Sequence, residues 1–156
     1  MEFESIKKYI EKQGKEDEAT KIDKLPYKLF DPFIAHGLQA TVIEPGRILC
    51  TFKVPPRLVN TANTLHGGAI ASLVDLMGTA VIFTVAVGAP TTGVSVEINV
   101  SYLDAVILDE EIEIEAKVLR VGKSIGVVSV ELRKKANGKI VAQGRHTKYL
   151  PVTSKL

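Results

Sequence analysis

GGAIASLVDLMGTAVIFTVAV, residues 67–87, decides the fold. From Ala69 to Val87 nearly every face of a helix built from it is apolar, and a helix apolar all round belongs in the centre of a protein. Gly67-Gly68 opens the run, and Gly88-Ala89-Pro90 breaks it. Between Arg57 and Glu97 the only Asp, Glu, Lys or Arg is Asp75. That leaves residues 76–87 uninterrupted, twelve against the ~20 that a membrane span needs. The stretch therefore predicts a helix buried in protein, not one crossing a bilayer.

The flanking segments predict strands. Upstream, Leu38–Glu44 and Arg47–Val54 form a hairpin around Pro45-Gly46, and Pro55-Pro56, which cannot donate to a ladder, stops it. Residues 57–66 make a polar loop leading into the helix. Downstream, Val94, Val96, Ile98, Val100 and Tyr102 alternate with Ser95, Glu97, Asn99 and Ser101, a period of two with one buried face. Glu110–Val121, Ile125–Lys134 and Lys139–Leu150 follow, joined by Gly122-Lys123-Ser124 and by the hairpin signal Asn137-Gly138. A hairpin, one buried helix and a meander of four strands have one compact solution: an antiparallel sheet wrapped around the helix. The fold class is α+β.

At 156 residues the chain fits one domain, expected over 29–150. Residues 1–28 precede it as a charged extension, in which Phe3, Ile6 and Ile10 predict a short amphipathic helix; 151–156 form a tail. Twenty Lys and Arg against 18 Asp and Glu, with no basic run, argue against nucleic acid as a partner. The one cysteine, Cys50, excludes an intramolecular disulfide framework and reads as a small buried residue of a strand. His36, His66 and His146 are too scattered to form a metal cluster, so neither metal nor cofactor is expected. The first residues lack a secretory pattern.

Asp75 is the residue that asks for chemistry. It interrupts an apolar helix, and no Lys or Arg occurs from 58 to 116 to pair with it locally. A carboxylate removed from water costs several kcal/mol unless it is bonded or reaches a wet cleft. Either a neighbouring hydroxyl such as Ser72 or Thr79 satisfies it, or it faces a cleft as a general base. Gly67 and Gly68 permit a tight turn into the helix; the free amides of a helix N-terminus can also hold a developing oxyanion. Eight residues separate Gly67 from Asp75, about 12 Å along one helix. One substrate carbonyl cannot meet both within a chain, so a shared site at a dimer interface follows.

Asn60-Thr61-Ala62-Asn63-Thr64-Leu65-His66-Gly67-Gly68-Ala69-Ile70-Ala71-Ser72-Leu73-Val74-Asp75 resembles the signature of small hot-dog-fold acyl-CoA thioesterases, of the phenylacetate-pathway and thioesterase superfamily member 2 types. The likeness continues through Gly93-Val94-Ser95-Val96 and Gly144-Arg145-His146-Thr147-Lys148. It implies a hot-dog fold paired into homodimers or homotetramers, and hydrolysis of fatty acyl-CoA, medium to long chains favoured, without a cofactor. By the same resemblance Asp75 activates water or attacks the thioester, and Gly67 donates its amide to the thioester oxygen. Asn60 orients the carbonyl or water, Ser95 positions Asp75 or the water, and His66 stands beside the oxyanion site. Aryl-CoA of the naphthoyl type is an alternative substrate; a non-catalytic acyl-CoA-binding module is an alternative role.

Arg120, Lys123, Arg145 and Lys148 are candidates to meet the CoA phosphates, or else solvated strand and turn charges. Ser154-Lys155-Leu156 matches the tripeptide read by the peroxisomal import receptor, so a peroxisomal location is expected.

Overall fold

The computed structural model describes residues 28–86 and 93–151. The N-terminal extension up to 27, the Gly88-Ala89-Pro90 break and the Ser154-Lys155-Leu156 tail lie outside them. Two compact units divide between Phe33 and Ile34. In the first, the described residues begin the short helix α1, Phe30–Ala35. The second carries the sheet, the long helix and every candidate residue.

Its strands are β1, Gln39–Glu44; β2, Arg47–Lys53; β3, Val94–Tyr102; β4, Glu111–Val121; β5, Ile125–Lys134; and β6, Ile140–Tyr149. A 3-10 turn, Pro56–Leu58, and the helix α2, Gly67–Phe83, join β2 to β3. All neighbours are antiparallel, in the order β1-β2-β4-β5-β6-β3. The α+β sheet-and-helix architecture is the one read from the sequence. The meander is not: β3 pairs with β6 at the far edge, not with β4. The reason is the length of α2. Its 17 residues carry the chain about 25 Å, enough to cross the ~19 Å from β2 to the fourth strand beyond it. β4 then has β2 on one edge and β5 on the other.

One face of the sheet packs on α2. Ile48, Cys50 and Phe52 of β2, Ile112, Ile114 and Ala116 of β4, and Val128, Val130 and Leu132 of β5 meet Ala69, Ile70, Leu73, Val74, Met77, Val81 and Ile82. Cys50 is buried, its Sγ 3.8 Å from Met77 Sδ. Contact is closest at β6. A Cβ on Gly144 would stand 2.9 Å from Val74 Cγ1, and one on Gly78 would stand 2.7 Å from His146 Nδ1. Only glycine lets helix and strand approach so nearly. The opposite flank of α2 is less covered: Asp75, Leu76, Thr79 and Ala80 are half-buried and Phe83 is exposed.

On the other face of the sheet, the nearly buried Glu115 accepts hydrogen bonds from Arg47 Nε at 2.6 Å and Arg133 Nη1 at 3.0 Å, with Lys117 Nζ at 3.4 Å. Burial alone would raise its carboxyl; those donors outweigh it and hold it down to about 2, against an ordinary 4.5. A carboxyl depressed in the folded state contributes stability above its unfolded value and loses it as pH falls through the folded one. Stability against urea is therefore expected to fall between about pH 4.5 and 2. Glu115→Gln is expected to be less stable than wild type at pH 6 and to show a flatter dependence over that window. Parallel curves for the two proteins would refute the assignment.

Candidate active site

Asp75 sits at the middle of α2 with its side chain 49% exposed in the single chain, on the open flank. Of the two readings the sequence offers, neither Ser72 nor Thr79 bonds it, and among the described residues no strand covers that flank. On its other side stands a chain of polar groups. Ser95 Oγ donates to Asp75 Oδ1 at 3.2 Å, and His146 Nε2 lies 2.9 Å from Ser95 Oγ and 3.4 Å from Asp75 Oδ1. With the serine proton given to Asp75, His146 Nε2–H donates to Ser95. Among the described residues the Ser95 and His146 contacts both fall on Asp75 Oδ1, and no side chain bonds Oδ2.

A β-bulge makes this possible. The strand alternation puts Ser95 on the outer face with Glu97, Asn99 and Ser101, but the β3–β6 register shifts between Ser95 and Glu97. Ile98, Val100 and Tyr102 stay opposite His146, Gly144 and Ala142, while Ser95 comes opposite Lys148 and turns onto the helix side. The extra residue re-aims one side chain, as bulges beside active sites do.

His146 was not among the residues singled out for the site, and it is fully buried. Burial pushes its pKa down and the ammonium of Lys148 adds to that, while the Asp75 carboxylate and backbone carbonyl pull it back up. The net direction is down, which disfavours the imidazolium form. Lys148 is 4% exposed, and its Nζ donates to Thr79 Oγ1 at 2.8 Å, one turn beyond Asp75. Burial lowers its pKa too, and Asp75 opposes the shift. As a candidate for the CoA phosphates Lys148 is corrected: it points inward on the His146 side of β6. Arg145 faces the other way, lining a cavity of about 340 Å³ with Asn99 and Gln143; Arg120 and Lys123 line another of about 370 Å³ at the β4–β5 turn.

A second cluster forms at the start of α2. His66 is its N-cap, in extended backbone, and its Nδ1 accepts the Gly68 N–H at 2.9 Å. An accepting Nδ1 leaves the ring proton of the neutral imidazole on Nε2, a second donor at this helix end. The Gly67 N–H, at the first helical position, has no intrahelical acceptor. Asn60 lies in the preceding loop and is engaged there: Oδ1 accepts from Ala62 N at 3.0 Å and Thr64 N at 3.1 Å, and Nδ2 donates to Thr64 Oγ1 at 2.9 Å. The structure thus brings Asp75 and Ser95 together, and His66 and Gly67 together. It does not bring the two pairs together within one chain. No group of His, Cys, Asp and Glu among the described residues could hold a metal ion, and no helix among them is long and apolar enough to cross a membrane.

Comparison with known proteins agrees with this geometry. Residues 62–141 match the family model described as thioesterase superfamily. The chain is 46% identical over 106 residues to human acyl-coenzyme A thioesterase 13, covering 68% of this chain and 74% of that protein. The crystal structure of zebra fish thioesterase superfamily member 2 superposes with a TM-score of 0.72 at 37% identity, over 80% of this chain and 94% of that one. The mouse thioesterase superfamily member 2 structure gives 0.73 at 35% identity, over 80% and 90%. A helix-borne carboxylate on one flank, amides at the helix start and these relatives together place the chain in the thioesterase superfamily, as a thioester hydrolase of hot-dog fold.

Proposed function

We propose that this protein hydrolyses fatty acyl-CoA, medium to long chains favoured, to the free acid and coenzyme A, at sites shared between two copies of the chain. The observation that carries the reading is Asp75: a half-exposed carboxylate on a helix flank, its Oδ1 bonded by Ser95 and 3.4 Å from His146, its Oδ2 without a side-chain partner. Oδ2 takes a proton from water, and the hydroxide adds to the thioester carbonyl. The oxyanion gathers at the Gly67 amide and the N-terminal dipole of α2. The C–S bond then breaks as the carbonyl re-forms, coenzyme A leaves as its thiolate, and the proton held by Asp75 passes to that thiolate, restoring the base. Beyond Asp75 the open flank carries Leu76, Ala80 and Phe83, an apolar track of about 10 Å that suits an aliphatic chain. The names of the relatives support acyl-CoA as the substrate class.

Sharing the site rests on the Gly67–Asp75 separation and on the β3 edge. There Val94 and Val96 are 65% and 62% exposed beside an unpaired row of backbone groups. Such an edge is a template for pairing with a second copy.

The test is release of coenzyme A, read with a thiol reagent, across thioesters from short aliphatic to bicyclic aromatic acyl groups. The highest kcat/KM is expected on medium to long aliphatic chains. A maximum on aromatic acyl groups would move the substrate to aryl-CoA, and binding without release on every thioester would make the protein a carrier.

A further inference from the structure

We infer that Tyr102 is a positioning residue for the oxyanion donor; this rests on the reading of Gly67 as that donor. Two consecutive glycines have more backbone freedom than any other pair, and an amide that must meet an oxyanion gains from being fixed beforehand. The structure fixes this one through its neighbours. Tyr102 Oη donates to the Gly67 carbonyl at 3.0 Å, and His66 Nδ1 accepts the Gly68 N–H at 2.9 Å. Those two groups are the ends of a single peptide unit. The preceding unit, which carries the Gly67 N–H, is held at its carbonyl by Ile70 N at 3.0 Å. The Gly67 N–H itself has no acceptor within the helix.

Tyr102 is 53% exposed at the end of an edge strand, so burial is not what it supplies. Its ring lies over Gly67, 3.5 Å from where a Cβ would stand. The same strand carries Ser95 at its other end, bonded to Asp75. One edge strand therefore ties down both ends of the machinery: the base through Ser95 and the oxyanion donor through Tyr102.

Tyr102→Phe keeps the ring and removes the bond. The Gly67 carbonyl retains its helical acceptor role and stays near water, so no buried group is orphaned and the melting temperature is expected to hold. Deleting an oxyanion donor outright costs about 10²–10³-fold; loosening one is expected to lower kcat roughly tenfold with KM within about twofold. The second readout is the carbonyl stretch of a bound acyl-CoA ketone, in which a methylene separates carbonyl from sulphur, isolated by ¹³C difference infrared. On the wild-type protein the stretch should move to lower frequency, and on Tyr102→Phe part of that shift should be lost. Unchanged kcat and an unchanged stretch overturn the inference. So does a loss of kcat accompanied by a lower melting temperature and an unchanged stretch, which makes the tyrosine merely structural. A wild-type protein inactive on all acyl-CoAs overturns the thioesterase reading as well, whereas an active wild type with an unaltered variant removes only the tether.

Discussion

Asp75→Asn is expected to lower kcat about 10²–10⁴-fold, the range for loss of a general base, while acyl-CoA binding survives. The change is nearly isosteric, and Asn Oδ1 can still accept from Ser95, whose hydroxyl lies 3.2 Å from Asp75 Oδ1. The half-exposed side chain contributes little to packing, so the fold should be untouched. What disappears is the proton acceptor on Oδ2. The Gly67 amide and the apolar flank of α2 remain to hold substrate, so KM should move far less than kcat. Ser95→Ala should lose less, roughly tenfold, because the serine orients the carboxylate without carrying the proton. Turnover by Asp75→Asn within threefold of wild type would show the carboxylate to be structural. A single turnover in ¹⁸O-water separates the two carboxylate mechanisms: direct attack followed by hydrolysis at the Asp75 carbonyl leaves label in Asp75, whereas water activation labels only the released acid.

The parts of this site differed in how far the sequence exposed them. Residues 69–83 could hardly be anything but a central helix, and Val128, Val130 and Leu132 showed the buried face of β5 by simple alternation. Their partners in β6 are His146, Gly144 and Ala142, whereas counting through a two-residue Asn137-Gly138 turn would set them against Thr147, Arg145 and Gln143. The inward position of His146, and of Lys148 two residues on, depends on the register shift between Leu132 and Arg133, which no local signal marks. It was masked further because β6 turns small and polar residues inward where the other strands turn aliphatic ones. Ser95 was masked more deeply. Its parity belongs to the outer face, and only a bulge, which leaves no mark in the hydrophobic pattern, brings it to Asp75. The edge position of β3 depends on the span of α2 across the sheet, a distance that no local signal encodes. The exposure of Asp75 depends on which flank of α2 the strands leave open, and that is set by the whole sheet more than by the residues around it.

Mixing two inactive chains is expected to restore activity. Gly67→Pro deletes the oxyanion N–H at a position where proline is tolerated: the first residue of a helix, after a residue already in extended backbone. Asp75→Asn deletes the base. Each homodimer then has two sites lacking the same group, and each should be nearly inactive. In a heterodimer with shared sites, one site receives both lesions and the other receives the intact Gly67 of one chain and the intact Asp75 of its partner. Random reassociation of equal amounts makes half the dimers hetero, so about a quarter of wild-type activity should return. Against homodimers reduced by about 10²–10³-fold, that recovery is large. Sites built within one chain would regain nothing on mixing, since every chain keeps its own lesion. The dimer must exchange subunits for the experiment to read, and mild urea followed by dilution provides that, with sedimentation recording reassociation. An active monomer in that sedimentation run would also defeat shared sites. In either case the ~12 Å between Gly67 and Asp75 along α2 would have to be bridged by a substrate carbonyl and water within one chain.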